Sequence, residues 1–233
     1  MDAVADRIFL ETTRRYAPRR LAREDVAAAL RLAQVEPGKP LADLGCGYGR
    51  HLAALIEQGY AHPLGIDRSP LLLAEARKQA LPALLLRADL GALPLHAGSL
   101  AAAFCFYSSM FLGTEEDALA ALREAARVLR PGGSLVLTTD NPLRLAARPS
   151  ADYQEDVPGL GQVRERSAWD PVESVDRVTK TLRLPDGESL SATYVIRYYA
   201  PPALAGLVLR RLEPDAPLTE ETPQLIALLE KVP

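Results

Sequence analysis

Three acidic residues stand at spacings that suit a nucleotide-like ligand. The first lies in Leu41-Ala42-Asp43-Leu44-Gly45-Cys46-Gly47-Tyr48-Gly49-Arg50-His51. An apolar run ends at Asp43, and glycines then follow at alternate positions. Glycine lets the backbone turn tightly and lets a ligand approach without side chains intervening. The spacing is G-x-G-x-G, not the dinucleotide fingerprint G-x-G-x-x-G, because residue 50 is arginine. Asp43 sharpens the reading, since an acid two residues before the loop repels a pyrophosphate and suits an ammonium group. The second acid, Asp67, follows Gly47 by twenty residues. A carboxylate there accepts hydrogen bonds from both hydroxyls of a ribose. The alternative job, capping the next helix, already falls to Ser69. The third is Asp89, placed to accept from an adenine amino group while Leu90 packs on the ring. Its alternative is a turn-forming aspartate.

Other reactive side chains are sparse. His51 follows the glycine loop and is the histidine to test as a base, with a structural role as the alternative. His62 and His96 fall in loops. Cys46 and Cys105 are too far apart in sequence for paired zinc ligands, and we read them as small buried thiols with no metal. Arg14, Arg15, Arg19, Arg20 and Arg23 surround Tyr16. They read as the solvated face of a helix or as a clamp for an anionic substrate.

These residues need a scaffold, and the order of elements supplies one. Helical spacing covers 21–35, within an N-terminal helical segment 1–35, and stops at Pro37-Gly38. Short strands are predicted at 41–45, 62–67, 83–89, 101–108 and 134–140. Helices are predicted at 50–58, 69–80 and 114–130. Ser69-Pro70 and Thr114 followed by Asp117 are start signals, and Pro131-Gly132-Gly133 is a stop. This alternation predicts a doubly wound α/β core over 36–145, with a mostly parallel sheet and helices on both faces. Ligands on such sheets bind at the carboxyl ends of the strands.

Beyond Asn141-Pro142 the pattern changes. Residues 151–200 read as an inserted lid. Within it 151–161 is loop-like, and 162–199 forms three antiparallel strands with a hairpin at Asp186-Gly187. The chain then returns, over 201–233, to two last core strands at 207–214 and 223–231. All 233 residues form one domain on this reading.

Composition sets outer limits. Hydrophobic residues make up 48% and charged residues 24%, as in ordinary globular chains. No apolar stretch approaches the roughly 20 residues of a membrane span. The first residues carry acids where a leader would be basic, so we read the protein as cytoplasmic. The net charge of −3 gives no general pull toward nucleic acid.

The motifs DLGCGYGRH, GIDRSPLLLAEAR, RADLGALPL and REAARVLRPGGSLVL together resemble the class I S-adenosylmethionine-dependent methyltransferases, over about 41–140. The insertion with Trp169, the LPDGE turn, Arg197-Tyr198-Tyr199 and LTEETPQLI resemble the small-molecule branch that carries a β-sheet lid. The resemblance implies a seven-stranded sheet with an antiparallel last strand. It implies S-adenosylmethionine as cofactor, S-adenosylhomocysteine as product and a small-molecule acceptor. Asp43, Gly45 and Gly47 would hold the methionine moiety, Asp67 the ribose, and Asp89 with Leu90 the adenine, with Cys46 and Arg68 as further cofactor contacts. Phe106 and Tyr107 would line the methyl-transfer side. No catalytic residue is assigned, and Tyr107, His51, Tyr16 and Trp169 are candidates, with Tyr198 as a further aromatic near the sulfonium. Two departures stand out. The segment 199–206 leaves room only for a short or absent helix, and Ala102-Ala103 replace the family's usual Phe-Asp.

Other readings are a nicotinamide-dependent oxidoreductase, a cofactor-binding module without turnover, and transfer to RNA or protein. Asp43 and the missing third glycine oppose the first. The intact loop opposes loss of cofactor binding. Only the arginine run supports a nucleic-acid partner. The expected state is a monomer or homodimer without membrane contact.

Overall fold

A computed structural model describes residues 3–198, 207–213 and 224–231. The chain opens with helices α1 (Ala3–Tyr16) and α2 (Arg19–Ala33). The break falls at Ala17-Pro18, where proline disfavours helical geometry in its predecessor and contributes no N–H. The helix expected at 21–35 therefore begins earlier and ends at Gln34, which adopts the left-handed conformation.

The core elements follow in the predicted order. They are β1 (Leu41–Leu44), α3 (Arg50–Glu57), β2 (Leu64–Asp67), α4 (Pro70–Lys78), β3 (Leu84–Arg87), β4 (Leu100–Cys105), α5 (Glu115–Val128) and β5 (Leu129–Asp140). A short helix α6 (Pro142–Ala147) leads to strands β6 (Ser150–Val157), β7 (Gly161–Asp170), β8 (Val175–Arg183) and β9 (Ser189–Arg197). Strands β10 (Leu207–Glu213) and β11 (Gln224–Lys231) close the chain. Thr114 and Asp117 form a reciprocal capping box at the start of α5.

Seven strands form one sheet in the order β10-β11-β5-β4-β1-β2-β3. β1 to β5 run parallel, and β11 is antiparallel to both its neighbours. The order reverses between β1 and β4, which opens a crevice at their carboxyl ends. Every residue of β4 is buried. Ala103 and Cys105 pack toward α5, while Ala102 and Phe104 face α2 and α3. Burial on both faces explains why this strand reads as an unbroken apolar run.

The remaining four strands form an antiparallel sheet in the order β6-β7-β8-β9. This corrects the expected three-stranded lid with a loop over 151–161. Residues 150–157 are an edge strand paired along its length with β7, from Ser150–Ala168 to Val157–Gly161. It is exposed on both faces, so it lacks the apolar alternation that marks a half-buried strand. Strand ends differ elsewhere too. β3 stops at Arg87 and β4 at Cys105, so Ala88–Leu90 and Phe106–Ser108 lie in turns. β5 starts at Leu129 because Arg130–Gly133 bulges inside it rather than preceding it. The segment 199–206 lies outside the described residues. Among the described residues no helix is long and apolar enough to cross a membrane.

A third apolar cluster joins α1 to the lid. Ala5 and Ile8 pack with Leu160, Val163, Leu182 and Leu190. Arg7 adds a bidentate pair with Glu188 at 2.7 and 2.9 Å. Ile8 is fully enclosed in this seam. Ile8→Ala should lower stability by about 2–5 kcal/mol, the usual range for a buried aliphatic truncated to alanine. Urea unfolding measures it, and an unchanged midpoint would mean that this contact does not fasten α1.

Candidate active site

After β1 the chain turns through Gly45, Gly47 and Gly49, all with positive φ, into α3. Gly45 is required twice over. Its φ is +82°, and an added Cβ would sit 2.5 Å from the Cβ of Ser109. The N–H groups of Gly45 and Cys46 both donate to the Ile66 carbonyl, at 2.8 and 3.0 Å, which ties the loop to β2. Asp67, at the end of β2, completes the tie. Its Oδ2 accepts from Gly47 N–H and its Oδ1 from Ser69 N–H, both at 2.8 Å. Ser69 itself caps α4 by accepting from Leu72 N–H. The Arg68 N–H also bonds Asp67, and the carboxylate retains acceptor capacity for a hydroxyl donor.

Asp43 lies behind the loop. It is 1% exposed and neither oxygen has a hydrogen-bond partner. Burial pushes its carboxyl up to about 7, with the Arg50 charge opposing the shift and that of Asp67 adding to it. The Arg50 guanidinium lies 4.5 Å from the Tyr107 ring centre, and its buried Nη1 also lacks a partner. A buried carboxyl with no hydrogen-bond partner and a guanidinium with one unpartnered nitrogen thus flank one loop. That arrangement fits the ammonium and carboxylate of an amino-acid moiety.

The turn after β4 is held against its conformational preference. Tyr107 and Ser108 both adopt positive φ, 55° and 57°. β5 holds them there. Tyr107 N–H donates to Thr138 Oγ1 at 2.8 Å, and Ser108 N–H donates to the Thr138 carbonyl at 2.9 Å. Asp25, on α2, accepts from the Tyr107 hydroxyl at 3.0 Å and pairs with His51 Nε2 at 3.2 Å. His51 is buried and stacks on Phe106 at 4.0 Å. Burial lowers it to about 4 against the hydrogen bond it makes to Asp25, so the ring is neutral near pH 7 and a weak proton acceptor.

These features open onto one cavity of about 930 Å³. Gly45, Cys46 and Gly47 line it, as do Asp67 and Arg68. Asp89, Leu90, Phe106, Tyr107, His51, Tyr16 and Tyr198 line it too. Asp89 also makes the turn, since its Oδ1 accepts from Gly91 N–H at 2.8 Å. Two expected residues do not reach the wall. Asp43 is buried behind the loop and is not part of the lining. Trp169 stands edge-on behind Tyr198, with ring centres 5.8 Å apart.

The arginine run does not form an anion clamp. Arg14 pairs with Glu75, Arg20 with Glu24 and Arg23 with Glu57. None of these arginines lines the cavity. Sequence reasoning missed Asp6 and Asp25, which lie on helical faces without a motif. It also missed Arg50, noted only as the residue that breaks a glycine fingerprint.

Asp43 yields a pH-dependent expectation. Its folded value, about 7, lies above the ordinary 3.8. The unfolded chain therefore releases this proton first, and the cost to the folded state grows as pH rises from about 4 to 7. Asp43→Asn should raise the melting temperature of the ligand-free protein more at pH 8 than at pH 5. An equal gain at both values would mean that Asp43 is not held protonated by burial.

Comparison with known proteins agrees with this geometry. Residues 41–133 match the family model described as a methyltransferase domain. The chain is similar to the CcbJ methyltransferase from Streptomyces caelestis, with 21% identity, a TM-score of 0.76, and coverage of 91% of this chain and 90% of that one. It is also similar to CalS10, an amino pentose methyltransferase from Micromonospora echinaspora solved with S-adenosylmethionine bound. That pair has 21% identity, a TM-score of 0.61, and 90% coverage of each chain. A curated relative, the mouse tRNA (carboxymethyluridine(34)-5-O)-methyltransferase ALKBH8, is 33% identical over 106 residues, 46% of this chain. The chain spans between 15% and 34% of the length of the curated relatives it matches. Residues 41–133 thus match a methyltransferase domain, and the whole chain shares the fold of solved S-adenosylmethionine-dependent methyltransferases.

Proposed function

We propose that this protein binds S-adenosylmethionine in the cavity and transfers its methyl group to a small-molecule acceptor held under the lid. One observation carries the reading. The glycine loop, Asp67 and Arg50 line one side of a cavity whose other side is β8 and β9. Arg50 takes the carboxylate of the methionine moiety, and the loop takes its ammonium in the field of Asp43. Asp67, with Arg68 beside it, takes the ribose hydroxyls. Asp89 and Leu90 take the adenine. S-adenosylmethionine supplies a methyl group already activated by the sulfonium. The chain's own task is then to orient two reactants and exclude water. Tyr107 and Phe106 frame the transfer side, and His51 with Asp25 holds both rings in place. Solved structures of sugar methyltransferases support a small acceptor.

The tRNA-modifying relative motivates a second reading, an RNA acceptor. The internal pairing of Arg14, Arg20 and Arg23 weighs against it. Release of S-adenosylhomocysteine with small amines, phenols and carboxylates, set beside unmodified tRNA, separates the two.

Calorimetry should give micromolar binding of S-adenosylmethionine and S-adenosylhomocysteine, about −8 kcal/mol. No heat and no thermal shift with either ligand would sink the reading. Asp67→Ala should weaken the cofactor by about 1.5–3 kcal/mol, the scale for hydrogen bonds to a charged group. Asp67→Asn should lose less, since it keeps an acceptor. Tyr107→Ala should reduce turnover while cofactor affinity stays within about threefold, under 1 kcal/mol. Loss of affinity and turnover in equal measure would move Tyr107 from the transfer side to the cofactor wall.

A further inference from the structure

The lid end of the cavity is built from acids that cofactor binding does not use. Asp140 ends β5, Glu165 lies on β7 and Asp176 on β8, and all three line the cavity together with Tyr194 and Tyr198. Asp176 is 5% exposed, and its Oδ1 has no hydrogen-bond partner. Asp140 accepts from the Tyr198 hydroxyl at a long 3.4 Å. The Arg144 charge acts on Asp140, and the cations near Asp176 are engaged elsewhere. Lys180 pairs with Glu165 at 2.7 Å, Arg177 turns to Glu173 at 2.5 Å, and Arg197 donates to the Gly113 carbonyl at 3.3 Å. Among the described residues no lysine or arginine forms an ion pair with Asp140 or Asp176. Asp176 is the buried member, raised by burial and by the Glu165 charge against the Ala168 N–H; Asp140, at the exposed end of β5, is raised by desolvation against the Tyr198 hydroxyl and the Arg144 charge.

A buried carboxylate without a cation is costly, and its charge attracts one. A neutral acceptor leaves that cost in place, and a carboxylate acceptor adds repulsion. An ammonium group removes it. We propose that the methyl acceptor is an amine, bound as a cation by Asp176 with Asp140, so that the transfer is an N-methylation. The proposal rests on the methyl-transfer reading above and names the acceptor class for that same site.

The step balances as follows. The bound ammonium gives one N–H proton to a carboxylate of the cluster, which passes it to solvent. The freed nitrogen lone pair forms the new N–CH3 bond while the S–CH3 bond breaks, and that electron pair stays on sulfur. Positive charge leaves the sulfonium and arises on nitrogen, beside Asp176 and Asp140. A fixed negative field at the atom that gains positive charge favours the transition state over the ground state.

The test uses matched acceptors that differ in the reacting group. Benzylamine, benzyl alcohol and benzoate form one set, and glucosamine and glucose another. Each is titrated into the 233-residue chain saturated with S-adenosylhomocysteine, then assayed with labelled S-adenosylmethionine. The amines should bind and be methylated at least tenfold more efficiently than their oxygen counterparts. Asp176→Asn, which keeps the shape, should raise the KM of the amine at least tenfold and leave S-adenosylmethionine affinity within threefold. If that variant misfolds, Glu165→Gln, on the partly exposed side of the cluster, should raise the same KM severalfold. Cofactor binding with no amine binding, with equal use of the oxygen acceptors, or with an unchanged KM in the folded variant overturns the proposal alone. Failure to bind the cofactor overturns the methyl-transfer reading, and the proposal with it.

Discussion

Asp67 accepts one hydrogen bond from the glycine loop and one from the start of α4, and the geometry of the cofactor wall depends on that pair. Parallel strands end here with their acids close together, and Asp43, Asp67 and Asp6 share a small buried volume. Water would ordinarily disperse such charge. The backbone N–H groups of Ser69, Gly47 and Arg68 oppose the upward push of burial on Asp67, whereas Asp43, with no such donors, is pushed up to about 7. The two acids differ in environment and therefore in role. Asp67 fixes the loop and the start of α4, while Asp43 stays without a hydrogen-bond partner beside them.

The same logic extends across the cavity. The Tyr107-Ser108 turn carries backbone strain, and Thr138 and Thr139 on β5 offset it with hydrogen bonds. That strain turns Tyr107 toward Arg50 and Asp25. A relaxed extension of β4 to residue 108, as the sequence predicts, would keep these side chains alternating across the sheet. The strand has to stop early for the wall to form.

Much of the core was legible in the sequence because its signals are local. Glycine spacing, the Ser69 and Thr114 caps and the Pro-Gly-Gly stop each determine structure within a few residues. The edge strand 150–157 was not legible, since a strand with both faces in water carries no period-two pattern. The partition of α1 and α2 followed Pro18, a signal that was present but not weighed. At the site, Gly45, Gly47 and Asp67 declared themselves by motif. Asp25 and Asp176 could not, because what distinguishes them is a neighbour far along the chain. His51 gives the converse case. Its place after the loop suggests a base, while its burial against Phe106 lowers its affinity for a proton.

The apolar seam between α1 and the lid links residues 5 and 8 with residues 160–190. Helix and sheet therefore form one cover, although the whole nucleotide-binding core separates them in the chain. Exchanging lids between related enzymes by cutting at 150 and 197 would leave Leu182 and Leu190 facing a foreign helix, and Arg7 without Glu188. A graft that keeps its packing has to take two pieces, the first helix and the inserted sheet together. Substitutions that reshape the pocket roof are tied in the same way to a stretch of chain more than a hundred residues upstream.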